Sequence, residues 1–259
     1  LSIGIQSFND DELKFLQRTH NSTQAIKAIN TARKAGFDNL NLDIIFSIPN
    51  QTTVKIDNTF KILLEQNPEH ISAYSLIYEP ETPLHKFHQA RKIEKIDDDK
   101  DAEIYEYICN KLKNNGYNHY EVSNFAKPSY KCKHNLNYWN RSNYIGFGPS
   151  AHSFFNNKRF WNAQSLDDYH YKIISGNIPT QNCETIDHQT QIEEDIMLNL
   201  RAEGIDFDNF NKKYKIDLKT KLKSLFKEWE YNNLADIDSN KIKLTDRGYF
   251  LAENLTIQV

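Results

Sequence analysis

Cysteine is scarce in this sequence: the 259 residues hold only Cys109, Cys132 and Cys183, far apart along the chain. Three widely spaced thiols provide neither a disulfide framework nor a C-x-x-C zinc site. Intracellular compartments keep such isolated thiols reduced. We therefore expect a cytoplasmic protein.

Long apolar runs and an excess of positive charge are also missing. The apolar stretches are no longer than a strand, such as Ile44 to Ile48, whereas a helix that crosses a bilayer needs about 20 apolar residues. The formal net charge is -3, and nucleic-acid affinity depends mainly on clustered Lys and Arg. The sequence thus argues against an integral membrane protein and against a nucleic-acid partner.

Methionine occurs once, as Met197. The chain opens at Leu1 directly in an alternating, strand-like run that ends at Ser7, with neither an initiator methionine nor a charged-then-apolar leader. We expect the sequence to be truncated at its N-terminus.

Apolar and aromatic residues are plentiful, at 39% and 12% of the chain, which is enough for a packed interior. Strand-like runs alternate with helical runs over residues 1–125, where strands separated by helices predict parallel pairing, because a parallel neighbour needs a crossover of about a dozen residues. An α/β half-barrel is the expected fold of this segment. The predicted strands are Leu1 to Ser7, Asn39 to Phe46, Ile71 to Ile77 and Tyr117 to Phe125.

Two further segments follow the half-barrel. Residues 126–186 begin with an aromatic and Gly-rich stretch and are predicted to link two domains. Residues 187–259 combine helical runs with two short strands around Asp238 to Asn240, a pattern that resembles a winged-helix unit. This segment holds 14 acidic and 11 basic residues, so we expect it to pack or to dock a partner rather than to bind DNA.

Three polar residues form the first candidate site. Gln6 and Asp43 lie near the ends of successive predicted parallel strands, the edge at which α/β folds place their ligands. Asp43 interrupts an apolar strand, so its carboxylate should meet a cation or accept hydrogen bonds from ligand hydroxyls. Arg18 is a candidate cation, and a purely structural Asp43–Arg18 pair is the alternative.

The run HNLNYW, from His134 to Trp139, forms the second candidate site. Imidazole is a frequent axial ligand of haem iron, and Tyr138 and Trp139 offer flat surfaces that can cover a porphyrin face. Buried core aromatics, with His134 bonded to a backbone carbonyl, are the alternative. Cys132 fits a small buried hydrophobe better than an iron ligand.

A glycine-containing run from Gly146 to His152 follows. It lacks both the strand-GxGxxG-helix pattern and a Walker lysine, so a tight turn accounts for it better than a phosphate-binding loop does. We expect His152 to be a buried structural histidine.

Taken together, these blocks resemble the HemW-type haem chaperones of the radical SAM superfamily, which are relatives of the oxygen-independent coproporphyrinogen III oxidases. The resemblance extends over nearly the whole chain, and HNLNYW is the block that distinguishes the chaperones from the oxidases. The matching blocks are SIGIQSF, LQR-T-H, AGFDNLNLDIIFSIPNQT, EHISAYSL, YEPETPL, GYNHYEVSNFAKP, HNLNYW, GFGPSAHSF, EDIMLNLRAEGID and LTDRGYFLAENL.

The resemblance implies a partial radical SAM (β/α) barrel with parallel strands, its C-terminal half being residues 1–125, followed by a mostly helical winged-helix-like domain. It assigns an S-adenosylmethionine site and a haem site, the latter with His134 as the candidate iron ligand. It also implies a [4Fe-4S] cluster in the intact protein and acceptor haemoproteins such as cytochromes, and it leaves homodimer formation open. The implied residues are Gln6, Arg18 and Asp43 for S-adenosylmethionine, and His134, Asn135, Tyr138 and Trp139 for haem.

The sequence also departs from the family pattern. It has no C-x-x-x-C-x-x-C run to hold a cluster, so these residues alone are not expected to start radical chemistry. Ser47 and Asn50 replace glycines of a family turn, although asparagine tolerates the left-handed conformation. Haem delivery is the leading functional hypothesis. An enzyme resembling coproporphyrinogen III oxidase, in porphyrin biosynthesis, and a nonfunctional remnant are the alternatives.

Overall fold

The computed structural model describes residues 1–259, which form two compact units, Leu1–Cys132 and Lys133–Val259. The expected division into residues 1–125, 126–186 and 187–259 stays a prediction. None of the thirteen helices combines the length and the apolar content needed to span a membrane.

The first unit contains five strands and five helices. In chain order they are β1 (Ser2–Gln6), α1 (Asp10–Phe15), α2 (Ser22–Lys34), β2 (Asn41–Phe46), α3 (Thr53–Glu65), β3 (His70–Ser75), α4 (Pro83–Gln89), α5 (Asp98–Asn114), β4 (Asn118–Glu121) and β5 (Asn124–Ala126). The strands form one sheet in the order β1-β2-β3-β5-β4, in which β1, β2 and β3 are parallel. The predicted parallel pairing of the first three strands is confirmed.

Alternation along β2 separates an apolar face of the sheet from a polar one. Leu42, Ile44 and Phe46 are buried, whereas Asn41 and Asp43 are half-buried. Successive side chains of a strand point to opposite faces, so the apolar set lies on one face and the polar set on the other. This division places the candidate ligand residues together on one face of the sheet.

The predicted strand Tyr117 to Phe125 is wrong as a single element. The chain turns at Val122 and Ser123, and β4 and β5 form an antiparallel hairpin in which Glu121 pairs with Asn124. Strand β5 is also antiparallel to β3. No glycine or proline marks the turn, so the residue pattern cannot distinguish one strand from a tight hairpin.

Helix α4 was not predicted from the sequence. Thr82 caps it through its hydroxyl, which accepts from the His85 backbone N–H at 3.2 Å, and Pro83 occupies the first turn. A capping threonine followed by proline is a helix-start signal. That signal was present in the sequence.

The second unit contains eight helices and six strands. In chain order they are α6 (Lys133–Trp139), β6 (His152–Phe155), β7 (Lys158–Asn162), α7 (Leu166–Ile174), β8 (Thr180–Thr185), α8 (His188–Leu200), β9 (Ile205–Asp206), α9 (Phe207–Tyr214), α10 (Leu218–Lys221), α11 (Lys223–Tyr231), β10 (Ala235–Ile237), β11 (Lys241–Leu244), α12 (Asp246–Phe250) and α13 (Ala252–Thr256). Strands β6, β7 and β8 form an antiparallel meander, and β10, β11 and β9 form a second antiparallel sheet. Helices α8–α11, the β10–β11 hairpin and α12 follow the predicted order of helical runs and two short strands, and the resemblance to a winged-helix unit stays a prediction.

Candidate functional site

A cleft of about 760 Å³ lies at the C-terminal end of the parallel strands of the first unit. Gln6, Arg18 and Asp43 all line it. The structure therefore brings together the three residues of the first candidate site. This edge is where α/β folds place ligands, because the loops that follow parallel strands converge there.

Asp43 is held by polar neighbours of its own sheet. One carboxylate oxygen, Oδ1, lies 2.7 Å from Asn41 Nδ2, and the other, Oδ2, lies 3.2 Å from the Ser2 hydroxyl. Arg18 makes no ion pair with Asp43, and its side chain is exposed. The alternative of a structural Asp43–Arg18 pair is therefore wrong, and both side chains remain accessible from the cleft.

Gln6 reaches the cleft through an irregular strand end. Its φ is 68°, and the register between β1 and β2 shifts between Gly4 and Gln6. A Cβ at Gly4 would lie 2.6 Å from Gln6 Nε2 and 4.0 Å from Asp43 Oδ2. Gly4 thus leaves room for the Gln6 amide beside Asp43. Gly4 was not predicted as a site residue, although a glycine inside a strand often marks close packing.

The remaining wall of the cleft is largely apolar. Phe15 and Leu16 approach from the end of α1, while Leu84 and Phe87 belong to α4. Tyr74 adds a partly exposed ring, and burial, followed by the nearby Asp43 and Glu121 carboxylates, raises the pKa of its phenol. The cleft therefore combines a polar floor with apolar walls, as binding sites for small organic molecules commonly do.

The turn after β2 adopts left-handed backbone at two non-glycine residues. Ser47 has a φ of 57° and Asn50 a φ of 60°. The Ser47 hydroxyl donates to Asp101, which also accepts from the Ser75 hydroxyl at 3.0 Å. This turn thus adopts left-handed backbone without glycine, with asparagine at one position and a hydrogen-bonded serine at the other.

Helix α6 presents part of the second candidate site to solvent. His134 and Tyr138, four residues apart, are both exposed and meet in a T-shaped ring contact with 4.9 Å between centroids. Tyr138 in turn contacts Tyr144 at 4.7 Å, and Tyr144 contacts Phe154 at 6.4 Å. The His134 imidazole makes no hydrogen bond to a backbone carbonyl, so this alternative is wrong.

Asn135 and Trp139 lie on the neighbouring stripe of α6, and both are half-buried. Tyr138 is 38% exposed. The structure therefore places His134 and Tyr138 together on an accessible face, while Asn135 and Trp139 lie one stripe further around the helix.

The turn that includes Gly146 is tight, as predicted. A Cβ at Gly146 would lie 2.3 Å from the His152 carbonyl oxygen, and Gly148 has a φ of 102°. His152 itself is exposed and stacks on Trp161 at 5.7 Å. The prediction of a buried structural histidine is wrong, because His152 begins strand β6 and its side chain lies at the surface.

The three cysteines occupy separate environments. Cys109 is buried, Cys132 is half-buried and Cys183 is exposed. A [4Fe-4S] cluster is held by several cysteine thiolates that converge on it. The residues of this chain do not fit such a cluster.

The chain is similar to several known proteins. Residues 186–251 match the family model described as the HemN C-terminal domain. The chain is 33% identical to the haem chaperone HemW of Lactococcus lactis over 256 residues, which cover 98% of the chain and 67% of the relative. HemW of Bacillus subtilis is 32% identical over 256 residues, which cover 98% of the chain and 68% of the relative. The chain belongs to the HemW family.

The chain thus spans about two thirds of the length of these HemW relatives. The solved structure of Escherichia coli coproporphyrinogen III oxidase, a radical SAM enzyme, matches with a TM-score of 0.78 and 21% identity, over 99% of the chain and 63% of the oxidase. At this identity the match shows the fold alone. The α/β fold of the radical SAM type predicted from the sequence is confirmed.

Proposed function

We propose that this HemW-family protein binds haem through α6 and delivers it to acceptor haemoproteins. The observation that carries this proposal is the solvent-exposed His134 imidazole, which lacks any hydrogen bond and lies against Tyr138. An imidazole nitrogen with a free lone pair can ligate haem iron, and aromatic rings stack on porphyrin faces. The HemW relatives at 32% and 33% identity are named haem chaperones, which supports haem handling over coproporphyrinogen oxidation.

His134→Ala is expected to weaken haem binding by at least about ten-fold, because the loss of even an outer hydrogen-bonding partner of a metal ligand costs that much affinity. The measurement is a haem titration of the chain followed at the Soret band. His152→Ala is the matched control, since it removes an exposed imidazole that stacks on Trp161 outside α6. Equal titration curves for the parent chain and His134→Ala would refute iron ligation by His134.

We further propose that the cleft of the first unit binds S-adenosylmethionine. Asp43 offers a carboxylate that can accept from hydroxyl groups, Gln6 offers an amide, and Arg18 offers a cation for a carboxylate. The apolar walls suit the uncharged ring of the same ligand. Because the cysteines do not fit a cluster, we assign no radical step to these residues, and any [4Fe-4S] cluster would need other thiolates.

Asp43→Ala is expected to weaken S-adenosylmethionine binding by about ten-fold or more, since a hydrogen bond to a charged group contributes about 1.5–3 kcal/mol. Isothermal titration calorimetry on the 259-residue chain measures the change. Asp57→Ala is the control, because Asp57 pairs with Lys111 and Tyr107 away from the cleft. Unchanged affinity in Asp43→Ala would leave Asp43 with a structural role only.

A further inference from the structure

Behind Asp43, three polar side chains cross the sheet from β2 to β4. Asn41 Nδ2 lies 2.7 Å from Asp43 Oδ1, and Asn41 Oδ1 lies 2.6 Å from His70 Nδ1. His70 Nε2 lies 2.7 Å from the Tyr120 hydroxyl, which accepts from the Cys132 backbone N–H at 3.1 Å. His70 and Tyr120 are buried, and buried polar groups such as these are normally hydrogen-bonded.

The chemistry of the groups fixes the direction of each hydrogen bond in the series from Tyr120 to Asp43. The Asp43 carboxylate can only accept, so Asn41 turns its amide nitrogen to it and its carbonyl oxygen to His70. A carbonyl oxygen also only accepts, and therefore His70 Nδ1 carries the proton. His70 Nε2 is then an acceptor and receives the Tyr120 hydroxyl hydrogen. All the donors point towards Asp43.

The protonation states agree with this direction. Burial lowers the pKa of His70 to about 4, so the imidazole is neutral at pH 7. Burial also raises the pKa of the Tyr120 phenol, which keeps its hydrogen. Aligned hydrogen bonds polarise one another, so each donor strengthens the next. The Ser72 hydroxyl, 3.0 Å from Asn41 Nδ2, supports the amide from the side.

We propose that Asn41 and His70 are positioning residues for Asp43, and that they hold its Oδ1 so that Oδ2 remains available to a ligand in the cleft. The only side chain that donates to Oδ2 is Ser2, at 3.2 Å. This inference rests on the proposed S-adenosylmethionine site. Because β2 and β3 are central strands of the sheet, the positioning groups are rigid, as a preorganised site requires.

The first test measures the His70 tautomer in the 259-residue chain without ligand. Long-range nitrogen–hydrogen correlation by NMR at pH 7 is expected to show a neutral imidazole protonated at Nδ1, whereas the Nε2–H tautomer is usually the commoner form in unstructured peptides. A His70 protonated at Nε2 would overturn the inference, and so would a doubly protonated ring. This result does not depend on whether S-adenosylmethionine binds.

The second test compares two amide replacements of His70. An asparagine amide nitrogen reaches the position of Nδ1 and can still donate to Asn41, while a glutamine amide reaches the position of Nε2 and cannot. His70→Gln is expected to weaken S-adenosylmethionine binding by about three- to ten-fold, the contribution of one hydrogen bond, and His70→Asn by less than about two-fold. His119→Gln is the control, because it removes another buried imidazole of this sheet that stacks on Phe125.

The outcomes separate the inference from the proposed function. A parent chain that does not bind S-adenosylmethionine would end the proposed cleft function, while the tautomer measurement would still decide the direction of the hydrogen bonds. Equal affinity losses in His70→Asn, His70→Gln and His119→Gln would show a general effect on folding and would overturn the positioning role. S-adenosylmethionine affinity that is retained in His70→Asn but reduced in His70→Gln would support the positioning role.

Discussion

Arg141→Met is expected to destabilise the second unit by about 3 kcal/mol, because it removes a buried cation from two carboxylates. The Arg141 side chain is 5% exposed, with Nε 3.1 Å from Glu194 and Nη1 3.2 Å from Asp195. Asp195 also accepts from the Tyr214 hydroxyl at 2.6 Å, and burial together with this bond raises the pKa of Tyr214, which stays a donor. Without Arg141 these carboxylates lose their most buried counter-charge.

Urea denaturation followed by tryptophan fluorescence measures this effect. All three tryptophans, Trp139, Trp161 and Trp229, lie in the second unit and therefore report its unfolding. Lys213→Met is the matched control, since Lys213 pairs with the same Asp195 at 2.5 Å but is 51% exposed, and its loss should cost about 1 kcal/mol or less. Equal losses of unfolding free energy in Arg141→Met and Lys213→Met would contradict the expectation that the buried ion pairs contribute more than the exposed one.

The ion pairs of Arg141 also bear on the candidate haem site. Arg141 follows α6 closely in sequence, and its guanidinium lies 5.0 Å from the centre of the Phe154 ring, at the end of the aromatic row that starts at His134. Glu194 and Asp195 belong to α8. The buried ion pairs thus connect the end of the HNLNYW segment to the domain that matches the family model, so we expect the geometry of the candidate haem site to depend on both.

The cleft residues could be predicted from sequence because strand ends carry a local signal. Gln6 and Asp43 interrupt apolar runs, and parallel strands separated by helices must end at the same edge of a sheet. The two predicted strands that carry Gln6 and Asp43 were enough to predict that these residues lie close together. Arg18 follows the first of these strands closely enough in sequence to reach the same cleft.

The groups behind Asp43 could not be predicted in this way. Asn41, His70 and Tyr120 come from three strands, and their contacts depend on the register that pairs Asn41 with His70. Polar residues at alternate strand positions normally indicate a face open to water. In this sheet the polar side chains bond to one another instead.

The exposure of His152 and the β4–β5 hairpin also could not be predicted from local sequence. The sequence indicated a histidine beside a tight turn, but burial depends on what covers the strand, and here Trp161 covers only one face of the ring. Likewise, nothing local distinguishes the hairpin turn at Val122 and Ser123 from a continuous strand. Exposure and strand direction are set by tertiary packing, which a single sequence encodes only indirectly.

Gly248→Ala is expected to destabilise the second unit by about 3 kcal/mol, the upper range for overpacking. Gly248 lies in α12, where helix propensity alone predicts a gain of about 1 kcal/mol from alanine. A Cβ there would lie 1.9 Å from the Leu234 carbonyl oxygen and 3.0 Å from Leu244 Cβ. The Leu234 oxygen also accepts from the Thr245 N–H at 3.0 Å and is therefore held in place.

The sign of the stability change in Gly248→Ala shows whether overpacking or helix propensity dominates at this position. Gly176→Ala is the control in the same unit, because a Cβ at Gly176 would meet nothing within 4 Å and only its φ of 73° is unfavourable for alanine, at a cost of about 1–2 kcal/mol. Urea denaturation followed by tryptophan fluorescence should rank Gly248→Ala below Gly176→Ala in stability. A Gly248→Ala variant as stable as the parent would mean that α12 moves away from Leu234 without loss. Gly248 lies within the matched C-terminal domain, and the expected loss implies that the close approach of α12 to Leu234 and Leu244 requires a residue without a side chain at this position.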